Sequence, residues 1–580
     1  MTFAQPVSGS SARPEPRKPT PEQQIDAALV RLAEHARPFA RLPIGEKINL
    51  LRACSERLFD VAPEIARAGC LAKRLDFRAP AAGDEWLSGP FAILRTLRLL
   101  IAALDQVGKH GAPQRALSLR ERSNGQLAAT VLPHDVYDKV LFGGFRCEAY
   151  LGPGLGAADV PEHQASFYRQ SAPEGRVALV LGAGNVAAIP AMDVLYEMFV
   201  EGKACLLKMN PVNDYLGSLF ERAFADLIER GFLAIVYGGA EVGSYACQHR
   251  LVEEVHITGS AETHDHIVWG PPGPERERRK REGDPLLKKP ITSELGNVSP
   301  VLIVPGPYSE RQLATMARNI AGMVTLNASF NCNAAKLLVT PAGWAGRDAL
   351  LDALRRTLRA VPPRFAYYPG AAERYRAFTQ GVPRLEEFGT AKAGELPWAL
   401  VTDLEPAANP MHFREESFCA VLGETRIGGD DPGEFLQRAV DFVNDEVWGT
   451  LNATLFVHPS HERDPVLGPL VEGAIERLRY GAVAVNHWPA MIFAAAGPPW
   501  GAFPGATLAD VQSGIGFVHN CSMFERLEKA VLRGPLEAFP KPAWFPDNRT
   551  VHHTARKLVS FERRPSFANV ASVAFSAVRG

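Results

Sequence analysis

The sequence predicts a parallel α/β protein of several domains, on three observations. The first is length: 580 residues exceed what one hydrophobic core holds, and at roughly 100 to 200 residues per domain the chain should divide into about three units. The second is alternation, because from "RVALVLG" onward short apolar runs of strand length trade places with stretches of helical period. Such alternation implies parallel strands joined by right-handed crossovers. The third is the lack of competing signatures. No internal repeat is visible, and the eight cysteines form no Cys-x-x-Cys pair and no Cys/His cluster at zinc spacing, so neither a disulfide framework nor a metal is implied.

In chain order, residues 1–24 ("MTFAQPVSGSSARPEPRKPTPEQQ") are rich in Pro, Ser and Arg and lack the apolar core of a secretory signal. They read as a disordered leader. Next, "IDAALVRLAEHARPF", "KINLLRACSERLFDVAPEIARAGCLAKRL" and "GPFAILRTLRLLIAALDQV" place apolar residues three and four apart, predicting helices that cover a sheet. Strand "RVALVLG" then leads into helix "AMDVLYEMFVEG", where Met192, Leu195, Tyr196 and Phe199 share one face, and into strand "ACLLKMN". Helix "LGSLFERAFADLIERG" and strands "LAIVYGG" and "EEVHITGS" follow. Residues 270–290 interleave acids with bases and hold no aromatic ring, which suits a solvated surface insertion rather than a nucleic-acid patch. Beyond it come strand "SELGNVSPVLIV" and a helix opened by the capping box Ser309-x-x-Gln312, and then further α/β structure to about residue 516.

Composition excludes some partners. With 46% hydrophobic and 22% charged residues and a net charge of −1, no global field recommends nucleic acid or an anionic membrane. No uninterrupted apolar stretch looks long enough to span a bilayer. The cytoplasm is the expected location.

The turn Gly182-Ala183-Gly184-Asn185-Val186-Ala187 satisfies the loose G-x-G-x-x-A form of a dinucleotide fingerprint. A ribose-binding carboxylate should then end the next strand, yet that strand ends Leu207-Lys208-Met209. A second constellation fits better: Asn185, Lys208, Thr258-Gly259-Ser260, Glu294-Leu295-Gly296, Cys332 and Glu416-Ser417-Phe418, in that order. With "GNVAAIP", "GKACLLK", "ITGS", "SELGNVSP", "FNCNAAK" and "EESFCAV" in sequence, and "YGAVAVN" and "WGAFPG" with "SGIG" after them, residues 177 to 516 resemble the aldehyde dehydrogenase superfamily.

The resemblance implies two Rossmann-like α/β domains with parallel sheets plus a small oligomerisation segment. Residues 25–145 and 168–294 would form the dinucleotide-binding domain, and 295–516 the catalytic domain. Residues 146–167 and 517–580 would form the oligomerisation hairpin and C-terminal extension of a homodimer or homotetramer. It also implies NAD or NADP as cofactor, a small-molecule aldehyde as substrate, and no nucleic acid, membrane or metal.

Each implied role has a chemical reason. Cys332 would be the nucleophile that turns an aldehyde into an adduct able to expel hydride. Asn185 would donate to the oxyanion of that adduct, together with the Cys332 backbone N–H. Glu294, raised in pKa by burial, would activate water against the resulting thioester. Lys208, Thr258, Gly259, Ser260, Leu295, Glu416 and Phe418 would hold the cofactor, Ser260 by opening a helix toward the pyrophosphate. Glu294 favours hydrolysis over transfer to coenzyme A, although the odd Phe330-Asn331 before Cys332 keeps a CoA-acylating enzyme in view as one alternative and a silent protein of the same fold as another. His264 and Cys419-Ala420 also depart from the family pattern. Pro211 stands where NAD-preferring relatives often carry a glutamate, so NADP should be tolerated or preferred. Trp488, Phe493, Trp500 and Phe503 either line an aldehyde tunnel or pack a core.

Overall fold

The computed structural model describes residues 17–113, 118–429 and 431–580. Most of the leader therefore lies outside the described residues, and helix Glu22–Ala40 already begins within its last three. Two sheets organise the chain.

The first sheet has six strands, in the spatial order Gly514–Ile515, Ile291–Glu294, Glu254–Thr258, Val177–Leu181, Ala204–Lys208, Leu233–Val236. Five run parallel, and Gly514–Ile515 pairs antiparallel at the edge. Every residue of "VALVL" and "ACLLK" is buried, as expected of central parallel strands covered on both faces. Helices Glu22–Ala40 and Ile189–Phe199 pack against these strands. From Val177–Leu181 the chain winds outward through Ala204–Lys208 and Leu233–Val236, then returns to place Glu254–Thr258 on the other side. That reversal opens a crevice beyond the carboxyl ends of the two neighbouring strands.

The second sheet has eleven strands. Parallel strands Pro300–Ile303, Leu337–Pro341, Val421–Ile427, Asn452–Phe456 and Ala482–Val485 form its centre. Strand Leu527–Arg533 extends that parallel set, and antiparallel strand Arg146–Leu151 joins it. Strands Leu119–Glu121 and Leu127–Leu132 continue from Arg146–Leu151. They thus belong to this second sheet, although they precede residue 146.

The capping box forms as the sequence predicts: Gln312 N donates to Ser309 Oγ at 3.3 Å and Ser309 N to Gln312 Oε1 at 2.9 Å. Within the insertion at 270–290, residues Pro274–Glu282 form a helix whose Arg276 is buried and donates to the Gly270 carbonyl at 2.8 Å. The span Pro80–His110 is long and apolar enough to cross a membrane by length and composition, which the sequence reading did not anticipate, yet 72% of its most apolar window is buried inside the fold. Helices Val551–Arg563 and Phe567–Ala577 return to the N-terminal helices. Glu562 there and Asp138 both pair with the buried Arg95, at 3.0 and 2.8 Å.

Candidate active site

Asn185, Lys208, Thr258 and Glu294 stand at or just beyond the carboxyl ends of strands in the six-stranded sheet. Cys332 arrives from the other side, on the loop between helix Glu310–Thr325 and strand Leu337–Pro341. Of the eight cysteines it alone is not buried. Its carbonyl accepts from Ser299 Oγ at 2.9 Å, Lys336 Nζ at 3.3 Å and Asn452 Nδ2 at 3.4 Å, which restrains the backbone beneath the sulfur.

The approach to Cys332 is strained. Asn327, Ala328 and Ser329 hold φ of 53°, 55° and 70°, the left-handed region that costs a non-glycine residue of order 1–3 kcal/mol. The Asn327 side chain holds the strained turn in place. Its Nδ2 donates to the Asn185 and Phe330 carbonyls, both at 3.0 Å, and its Oδ1 accepts from Lys73 Nζ at 2.9 Å and Tyr367 Oη at 3.0 Å. Asn185 in turn gives one N–H to the Phe330 carbonyl at 3.0 Å, and a primary amide has a second to offer. Phe330 itself packs with Tyr367, Tyr368 and Phe418 at ring-centre distances of 4.9 to 5.8 Å. An aromatic residue before the cysteine is thus explained by the cluster it completes.

Glu294 is buried, and its strand neighbours are Thr258 on one side and Gly514 on the other. Gly514 has φ +125°, and a Cβ there would meet the Ser293 carbonyl at 2.1 Å, so only glycine allows this pairing. Burial, reinforced by the Asp193 carboxylate, pushes the Glu294 carboxyl up to about 7, while the Cys332 thiol, the Trp500 indole and His256 pull the other way. Glu294 Oε1 and the Trp500 indole N–H are both buried without a hydrogen-bond partner. Burial and the charges of Glu294 and Glu416 push the Cys332 thiol well above its ordinary range. Behind Glu294, Asp193 Oδ2 accepts from Thr258 Oγ1 at 2.9 Å and lies 3.6 Å from His256 Nε2.

One cleft of about 1010 Å³ joins these groups; Asn185, Lys208, Thr258, Gly259, Ser260, Glu294, Cys332, Glu416 and Phe418 all line it. Leu295 does not, being buried with its N–H on the Ser513 carbonyl at 2.8 Å. The donor set along the cleft fits a dinucleotide. Ser260 caps helix Ala261–Trp269 through Thr263 N at 3.1 Å, and helix Ala240–Gln248 opens with no side-chain cap. Both helix starts border the cleft, where unpaired N–H groups suit a pyrophosphate. Burial pushes the Lys208 ammonium down to about 8, and an incoming anion would relieve that cost. Gly296 admits Glu416: a Cβ would sit 1.9 Å from Glu416 Oε2. Glu416 Oε1 lies 3.0 Å from Lys336 Nζ.

The architecture is that of an α/β protein with a dinucleotide-type sheet joined to a second, larger sheet carrying a cysteine, and solved structures share it. An NAD-dependent aldehyde dehydrogenase from Sinorhizobium meliloti superposes with a TM-score of 0.58, covering 90% of this chain and 89% of that one at 18% identity. Aldehyde dehydrogenase C from Pseudomonas syringae, solved with NAD+ and octanal, gives 0.59 over 89% of each chain at 15% identity. An NADP-dependent glyceraldehyde-3-phosphate dehydrogenase from Bacillus halodurans gives 0.55 over 89% of this chain and 92% of that one at 14% identity. In sequence, a 4-trimethylaminobutyraldehyde dehydrogenase from Rattus norvegicus is 32% identical over 168 residues, 27% of this chain and 30% of that protein. The enzyme from Bos taurus is 29% identical over 165 residues, again 27% and 30%. The chain thus matches less than a third of the length of these curated relatives. No family model matches the sequence. The chain therefore shares the fold of these aldehyde dehydrogenase structures.

Sequence reasoning missed several neighbours of the site. Asp193 was visible only as one polar position on an apolar helix, and Asn327 as part of a polar loop. Lys73, His256 and Tyr367 carried no role, and Trp500 only that of a tunnel or core aromatic, because their contacts with Asn327 and Glu294 are set by tertiary packing.

Proposed function

We propose that the protein is an NAD(P)-dependent aldehyde dehydrogenase that oxidises a small-molecule aldehyde to a carboxylic acid. The observation that carries this reading is the meeting of Cys332, Glu294 and Asn185 in one cleft whose remaining walls suit a dinucleotide. Glu294 stands within reach of the Cys332 thiol and takes its proton as the sulfur attacks the aldehyde carbon. A C–S bond forms, and the carbonyl electron pair moves onto oxygen. Asn185 Nδ2 receives that oxyanion. Lys208, Thr258, Gly259, Ser260, Glu416 and Phe418 would hold the cofactor, with Leu295 acting only from behind the wall. When bound, the nicotinamide supplies the hydride acceptor.

The thioester left on Cys332 needs water. Glu294 first releases the proton it took from the thiol, which a carboxyl group near 7 does at neutrality. It then deprotonates a water that adds to the thioester carbon; the C–O bond forms, the C–S bond breaks, and the acid departs from a regenerated Cys332. Assembly as a homodimer or homotetramer through 146–167 and 517–580 belongs to the same proposal.

The test is formation of reduced cofactor from a panel of aliphatic and aromatic aldehydes, with NAD and NADP in parallel. Turnover is expected in the native protein and a loss of about 10⁴-fold or more in Cys332→Ala, with the circular dichroism spectrum unchanged. Turnover that needs coenzyme A would mean acyl transfer instead. No reduced cofactor with any aldehyde, and no labelling of Cys332 by an electrophile, would mean a silent protein of this fold. A monomer by light scattering removes the assembly.

A further inference from the structure

A second cavity, of about 620 Å³, lies away from the cleft, where the C-terminal helices Val551–Arg563 and Phe567–Ala577 meet the N-terminal helices. This volume is in the range that small-molecule sites occupy. Its lining is divided by chemistry. Ala62, Trp86 and Val559, all buried, give an apolar floor. Arg556, Lys557 and Arg579 stand on the walls, against Asp60 as the one carboxylate among the lining residues.

The cations are arranged around aromatic rings. Arg556 lies over Trp86 at 5.6 Å, and Arg579 over Phe575 at 3.9 Å. Lys557 Nζ donates to the Ser572 carbonyl at 3.0 Å, and no carboxylate pairs with Lys557 or Arg579 among the described residues. Phe575, at 58% exposed, leaves an aromatic face open beside them. Two cations near an apolar floor, without carboxylate partners, attract an anion that also carries a ring.

We propose that this cavity is a binding site for a small organic anion bearing an aromatic ring, with the ring on the Trp86 floor and the charge between Lys557 and Arg579. The proposal rests on this geometry alone and holds whatever reaction Cys332 performs. The site has a short route to the cysteine loop. Trp86 closes the helix Gly83–Trp86, and that helix also carries Asp84 and Glu85. Asp84 Oδ2 accepts from Asn327 N at 3.3 Å, and Glu85 Oε1 from Lys73 Nζ at 2.8 Å. The cavity wall and the strained turn before Cys332 therefore share one turn of helix.

Calorimetry on the full chain tests the assignment with phenyl phosphate and benzoate, against inorganic phosphate as the charge alone and benzyl alcohol as the ring alone. At least one aromatic anion should bind about tenfold more tightly than both controls, and the double variant Lys557→Glu/Arg579→Glu should weaken it by about tenfold or more. Binding of phenyl phosphate alone assigns the site to phosphate esters, and of benzoate alone to carboxylates. If the double variant does not fold, Arg579→Gln, at an exposed residue beside the C-terminus, serves instead. Failure of both aromatic anions to exceed the controls overturns the proposal, as does equal binding to the substituted protein.

Discussion

Glu294 shows how one buried side chain ties environment to chemistry. Its carboxyl group is pushed up to about 7, and a general base acts only when deprotonated. The rate of thioester hydrolysis should therefore rise with pH through about 7 and fall roughly tenfold per unit below it. Glu294→Gln should abolish that limb and slow hydrolysis by about 10²–10⁴-fold, more than it slows the initial burst of reduced cofactor. Stopped-flow absorbance separates the two phases, and hydrolysis as fast as in the native protein would argue against the assigned base. If Asn185 is the proposed oxyanion donor, Asn185→Ala should lower kcat by about 10²–10³-fold with little change in KM. Steady-state kinetics reads both. A change in KM alone would reduce Asn185 to the strut on Phe330 that its 3.0 Å bond already makes it.

At the scale of elements, the end of strand Ala204–Lys208 bears on the proposed choice of cofactor. Lys208 leads into Asn210 and Pro211, and the carboxylates that line the cleft, Glu262, Glu294, Glu415 and Glu416, come from other segments. With no acid on this strand end to repel a 2′-phosphate, kcat/KM for NADP should equal or exceed that for NAD; strong preference for NAD in the same assay would refute it. Helix Ala92–His110 supplies a second test. Its Arg95 is buried with Asp138 and Glu562 at 2.8 and 3.0 Å, from two distant segments. Arg95→Met would leave both carboxylates buried with Arg98 as their remaining ion-pair partner, and stability should fall by about 3–5 kcal/mol. A lowered urea midpoint measures it, and an unchanged midpoint would mean that Arg98 compensates alone.

Over the whole molecule, the chain returns to pin elements it formed earlier. Gly514–Ile515, which comes between strands Ala482–Val485 and Leu527–Arg533 of the larger sheet in sequence, pairs with Ser293 and Glu294 in the smaller one. Glu294 is thereby held in the cleft that it shares with a cysteine from the other sheet. Leu527–Arg533 similarly bridges Arg146–Leu151 to the central parallel strands, so the C-terminal extension is part of the sheet. Ser299, Asn452 and Lys336 complete the join by holding the Cys332 carbonyl.

The sequence by itself determined the alternating strands, the capping box at Ser309, the fold class and nine of the residues that line the cleft, because each depends on local backbone preference or on a short ordered motif. Nine of the ten predicted side chains reach one cavity, and Leu295 turns away. What only the tertiary structure decided is how those residues are set: Glu294 raised by Asp193, Asn185 held by Asn327 and Phe330, and Phe330 placed against Tyr367 and Tyr368. Those settings depend on burial and on contacts between segments far apart in the chain, and proton affinity and aim respond to enclosure rather than to residue type.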